Sequence, residues 1–161
     1  NNFTGKKVYE KGTICFVLKE VAEKLDLVQK QLEPMGLGLL VWDGYRPLAV
    51  QRTFWEIFPD ENYVANPAQG GRHNRGTAVD VTLVTLDDGK EVEMPTHFDD
   101  FSERAHRTYT DLPAHVIKNR NLLETLMHAQ GFEGWKNEWW HFDLQGWEKY
   151  QPLDIALEEL E

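Results

Sequence analysis

The stretch TAVDVTLVTLDDGKEVEM, residues 77–94, decides the fold class. Between Ala78 and Val84 the side chains alternate, placing Val79, Val81 and Leu83 on one face of an extended strand. Ala78, Asp80, Thr82 and Val84 take the other face. Asp87-Asp88-Gly89 then breaks the run, and that triplet between two extended segments predicts a hairpin. Asp80 also raises a chemical question. A carboxylate in the middle of an apolar strand is costly unless a metal ion or a cationic side chain meets it.

The flanking sequence supplies the partners such a strand needs. Upstream, GLGLLVWDGY (36–45) reads as a short buried strand ending in a turn at Asp43-Gly44. Before it, Leu18, Val21, Ala22, Leu25, Val28 and Leu32 recur at helical spacing, and Pro34 with Gly36 stops that helix. LAVQRTFWEIF (48–58) follows Pro47 as a second helix closed by Pro59. Downstream, Asp111 is placed to cap a third helix running to Gly131, with Leu122, Leu123, Leu126 and Met127 on its buried face. FEGW (132–135) and EWWHFDL (138–144) flank Lys136-Asn137 as a second hairpin. The order of elements predicts an α+β fold, a small antiparallel sheet with flanking helices. With no repeat, linker or low-complexity tract, a single domain over residues 1–161 is expected.

Composition excludes several classes of function. Six Trp, eight Phe and five Tyr rule out disorder. Seventeen basic against 27 acidic residues give a net charge of −10, so nucleic acids and anionic membranes are poor partners. No apolar run approaches the roughly 18 residues of a membrane helix, so no membrane insertion is expected. The lone Cys15 excludes an internal disulfide. The start NNFTGKK lacks an initiator Met, and an upstream piece or leader is expected.

His73 lies seven residues before Asp80, in a loop where Gly70, Gly71 and Gly76 let the chain fold back. An imidazole and a carboxylate are thereby within reach of one ion. His141 is the leading candidate for the third protein ligand of a catalytic zinc, with Glu138 beside it. A salt bridge from Asp80 to Arg72 or Arg75 is the competing explanation. Residues three apart in a regular strand point to opposite faces, so for Glu138 and His141 to share a site the strand must begin after Glu138 or carry a bulge. His97, His106, His115 and His128 lie in polar surroundings and carry no such expectation.

Three ordered blocks carry a resemblance. HNRGTAVD (73–80) fits H-x-x-G-x-A-x-D, EWWH (138–141) fits E-x-W-H, and WDGYRP (42–47) stands upstream of both. Together with NFTGK and GFEGWKNEWWHF, they resemble the zinc-dependent D-alanyl-D-alanine peptidases, above all the VanX-type dipeptidases. The resemblance implies an α+β fold around one Zn2+ per chain, held by His73, Asp80 and His141. It implies Glu138 as catalytic base, Arg46 as the group that steadies the transition state, and Asp99 as the partner of the substrate's free ammonium. Arg72, next to the first ligand, is expected to meet the substrate carboxylate, and Trp139 and Trp140 to wall the site. Gly71 and Arg72 depart from serines found in relatives, which bears on fine specificity. The implied partner is a small D-amino-acid dipeptide, and the implied setting is bacterial and cytoplasmic, with export left open by the abrupt start. Two alternatives accompany the dipeptidase: a D,D-carboxypeptidase or wall endopeptidase with the same zinc chemistry, and a metal-stabilised binding domain without catalysis.

Overall fold

Val79, Val81 and Leu83 are fully buried, and they hold the centre of the molecule through strand β2 (Ala78–Thr85). The computed structural model describes residues 2–9 and 13–160, so Asn1 and Glu161, the ends of the expected domain, lie outside the described residues. Strand β1 (Leu37–Asp43) pairs antiparallel along one edge of β2. On the other edge β2 pairs with β4 (His141–Leu144), and β4 with β3 (Phe132–Gly134). The sheet order is β1-β2-β4-β3, antiparallel throughout.

Helices α1 (Lys19–Leu32) and α3 (Ala114–Ala129) cover the face carrying Val79, Val81 and Leu83. Val28, Leu32, Leu123, Met127 and Phe142 close that core with no exposure. Each such side chain contributes roughly 1.5–3 kcal/mol relative to an exposed one. Helix α1 ends as read from the sequence, with Pro34 in a tight 3-10 turn and Gly36 left-handed after it. Helix α2 (Leu48–Ile57) begins directly after Pro47.

The structure revises two local expectations. The hairpin at Asp87-Asp88-Gly89 turns as expected, through Thr85 N–H to Lys90 O and Val92 N–H to Leu83 O, both 2.9 Å. Its return arm, however, is one bridge between Val84 and Glu91 rather than a strand. Met94 and Pro95 are buried and draw the chain off the edge, and proline offers no N–H to extend a ladder. Asp111 does not cap α3. Pro113 takes the cap position at ψ 142, because the residue before a proline is kept out of the helical region and the helix starts after it.

Candidate metal centre and catalytic cleft

The sheet face opposite the helices carries the chemistry. Asp80 in β2 and His141 at the start of β4 are direct cross-strand partners, so their side chains project from the same face. Glu138 lies in the turn before β4, where its N–H reaches Trp135 O at 3.3 Å. The strand therefore begins after Glu138, which removes the obstacle that three-residue spacing raised. His73 opens a 3-10 turn (His73–Arg75), and Gly76 at φ 66 lets the chain reverse into β2.

Three donor atoms converge. His73 Nε2 lies 3.3 Å from Asp80 Oδ2 and 3.2 Å from His141 Nδ1, and His141 Nδ1 lies 3.0 Å from Asp80 Oδ1. A tetrahedral ion with bonds of about 2.0–2.1 Å separates its ligands by roughly 3.3 Å. The outer nitrogens assign the tautomers. His73 Nδ1 donates to the Gly44 carbonyl at 2.7 Å, and His141 Nε2 donates to Asp143 Oδ1 at 2.9 Å. Both inward nitrogens then present lone pairs to each other and to a carboxylate, an arrangement that only a cation or a bound proton reconciles. Two imidazoles and one carboxylate, all buried, fit a divalent metal cofactor. The backbone supports this set closely. A Cβ on Gly44 would lie 2.6 Å from Phe16 O, so only glycine lets that carbonyl sit against His73.

The electrostatics follow from burial and proximity. Burial disfavours the Asp80 anion, yet His73 and His141 outweigh it and hold the carboxyl well below the usual range. Burial also pulls His141 down, but Asp143 and Asp80 prevail and push it up to about 10. Glu138 sits with Oε2 3.8 Å from His141 Nδ1. Burial raises its carboxyl to about 8, with His141 opposing and Asp80 and Asp99 adding to the shift.

Arg46, Asp99, Arg72, Glu138 and Trp140 line one cleft with the three donors. Its volume is about 70 Å³, well under the roughly 300–1,000 Å³ of drug-sized ligand sites. Arg46 is held by Asp43 Oδ2 at 2.8 and 3.0 Å and by Gln51 Oε1 at 3.0 Å, and it stands 3.8 Å from Asp80. It is thus the arginine nearest Asp80 among the described residues. Arg75 is committed to the carbonyls of Gly70, Gly71 and Tyr150, and Arg72 pairs with Asp143 at 3.2 Å. Arg72 also lies over the rings of Trp135 and Trp147. Asp99 accepts the Phe3 N–H at 3.0 Å, and burial, reinforced by Asp80, pushes its carboxyl up to about 7.

Trp140 walls the cleft as expected, but Trp139 does not. Its indole N–H donates to Thr96 Oγ1 at 2.9 Å and its ring meets Trp42, on a separate cavity. The two residues lie in the turn before β4 with their rings at 85° to each other, so only Trp140 faces the cleft. Sequence reasoning missed Asp143, which orients His141; the spacing of His141 and Asp143 in a strand was the available signal. It also missed Gln51 and Phe3, whose partners no local pattern discloses. A bulge in β1 puts Asp43 opposite Asp80 where the regular register would have placed Trp42, and from there Asp43 holds Arg46, which lines the cleft.

Known proteins share both the fold and the sequence. A structure of VanYB in complex with D-alanine-D-alanine aligns over 91% of this chain and 85% of its own, with TM-score 0.55 and 15% identity. A mutant of the vancomycin-resistance D,D-pentapeptidase VanY in complex with Zn(II) aligns over 88% and 80%, with TM-score 0.52 and 16% identity. At such identities these show a common fold. D-alanyl-D-alanine dipeptidase of Escherichia coli is 36% identical over 89% of this chain and 74% of its own length. The enzyme of the same name from Enterococcus faecium is 35% identical, over 90% and 81%. The profile described as D-ala-D-ala dipeptidase matches residues 1–154. A chain with this match, these relatives and this buried donor triad belongs to the D-ala-D-ala dipeptidase family of peptidases.

Proposed function

We propose that this chain, as one catalytic domain, hydrolyses the D-Ala-D-Ala dipeptide to two molecules of D-alanine, using one zinc ion held by His73, Asp80 and His141. The observation that carries this reading is the convergence of three committed donors beside a buried carboxylate, Glu138, in a cleft of about 70 Å³. Zinc held there would supply a Lewis acid that polarises the scissile carbonyl and makes a water acidic enough to attack.

Glu138 takes a proton from the attacking water and delivers it to the departing amine nitrogen, so the C–N bond breaks as an amine rather than an amide anion. Its burial keeps proton affinity high, and a nearby divalent charge favours its ionised form. As the amide carbon becomes tetrahedral, its oxygen gains negative charge. Arg46, fixed by Asp43 and Gln51, meets that charge without reorganising. Asp99 receives the substrate's ammonium. Arg72, held over Trp135 and Trp147, faces the substrate's carboxylate. Trp140 excludes water from one side. A bacterial cytoplasm is the setting expected for this activity.

The test is release of D-alanine from D-Ala-D-Ala, measured before and after exhaustive chelation and again after zinc is restored. Zinc-dependent release supports the assignment. Activity unaffected by chelation overturns the mechanism, and equal cleavage of a pentapeptide stem favours the carboxypeptidase alternative.

A further inference from the structure

We infer that Phe3 closes the amino side of the cleft and thereby restricts the enzyme to free dipeptides, a reading that rests on the dipeptidase function proposed above. Phe3 lines the cleft together with Asp99, Phe54, Tyr63 and Phe101. Its ring packs 5.0 Å from that of Phe54, 5.2 Å from Phe101 and 6.2 Å from Phe58, centroid to centroid. These edge and tilted contacts make one aromatic plug. The Phe3 backbone N–H donates to Asp99 Oδ2 at 3.0 Å, which sets the carboxylate's orientation and leaves Oδ1 to receive an ammonium.

The plug is anchored. Residues Asn2–Gly5 form a turn closed by Gly5 N–H to Asn2 O at 3.1 Å and by Thr4 N–H to Asn2 Oδ1 at 3.0 Å. At the far end of the segment, Tyr9 donates to Asp43 Oδ1 at 3.1 Å, the same carboxylate that holds Arg46. The strap is thus tied at one end to Asp99, which lines the cleft, and at the other to the carboxylate that holds Arg46. Asp99 is the only non-glycine residue with positive φ among the described residues, at 59°, an uncommon conformation retained where the surroundings enforce it.

The consequence is steric. A substrate ammonium bound at Asp99 ends against the Phe3 peptide and the rings beyond it. An acyl group on that nitrogen must continue into the volume that Phe3 and Phe101 fill. Every Phe3 substitution except proline keeps the backbone N–H, so the Asp99 bond survives while the plug is removed.

The experiment compares kcat/KM for N-acetyl-D-Ala-D-Ala with that for D-Ala-D-Ala in the wild-type protein and in Phe3→Ala, both loaded with zinc. Loss of the ammonium contact is common to both proteins, so a change in the ratio reports the steric block. We expect the acetylated-to-free ratio to rise at least about tenfold in Phe3→Ala. An unchanged ratio in the folded variant overturns the proposal, including the case where both values fall together through a merely structural loss. Should Phe3→Ala fail to fold by circular dichroism, Phe3→Leu carries the same test, with a rise of several-fold expected and no rise overturning it. Wild-type protein that cleaves both substrates equally defeats the dipeptidase reading itself; a selective wild type with an equally selective variant defeats only the role of Phe3.

Discussion

Asp80 and His141 face each other across neighbouring antiparallel strands, with Asp80 Oδ1 3.0 Å from His141 Nδ1. Two of the three proposed metal ligands are thus positioned by sheet register, and only His73 depends on a loop. Metal binding should therefore stabilise the fold as well as enable chemistry. At free zinc about 1,000 times its Kd the gain is about 4 kcal/mol, raising Tm by roughly 8–16 °C for a chain of this size. Differential scanning calorimetry before and after chelation measures it. His73→Ala should lose both that gain and the bound zinc by elemental analysis, and a variant that retains one zinc per chain contradicts the assignment.

Glu138 is separable from the metal. Glu138→Gln keeps the size of the side chain and removes the proton acceptor. Zinc content should stay near one per chain while kcat falls by at least about two orders of magnitude. Arg46→Ala should likewise bind zinc, with its loss mainly in kcat, because it meets charge that develops only in the transition state. Full activity in Glu138→Gln contradicts the assigned base.

Asp143 holds His141 directly, at 2.9 Å. Its Oδ1 accepts the His141 Nε2–H and so keeps Nδ1 aimed at the centre. Asp143→Ala should weaken zinc affinity by about 10–100-fold, the usual cost of losing such a partner. Competition against a chelator of known affinity measures this. An unchanged affinity shows that His141 is oriented by packing alone.

Asp99 sets a pH dependence. Its carboxyl is pushed up to about 7, chiefly by burial, and as the proposed ammonium partner it would act only when ionised. Lowering pH through that value protonates the free enzyme, so kcat/KM should fall on the acid side and recover as pH rises. A cation at the nearby triad favours the ionised form, which puts the limb at or below about 7. Asp99→Asn should lose the Asp99 share of this limb, leaving the share set by the base Glu138, and narrow the gap between free and N-acetylated dipeptide. A profile identical to wild type removes Asp99 from ammonium recognition.

Local pattern determined much of this protein. The period-two alternation around Asp80 and the helical spacing from Leu18 to Leu32 set element type, because the backbone geometry of each element dictates which residues share a face. Asp80 announced a cation by its cost in an apolar strand, and the HNRGTAVD, EWWH and WDGYRP blocks announced the chemistry. Tertiary structure alone decided the rest. The bulge at Trp42 that sets Asp43 opposite Asp80, the divergence of Trp139 from Trp140 in the turn before β4, and the choice of Arg46 over Arg72 or Arg75 as the arginine nearest Asp80 all depend on how the strands and loops pack. The bond from Phe3 to Asp99 joins residues 96 positions apart. Such pairs leave no local periodic trace, because they exist only once the sheet and its loops have packed.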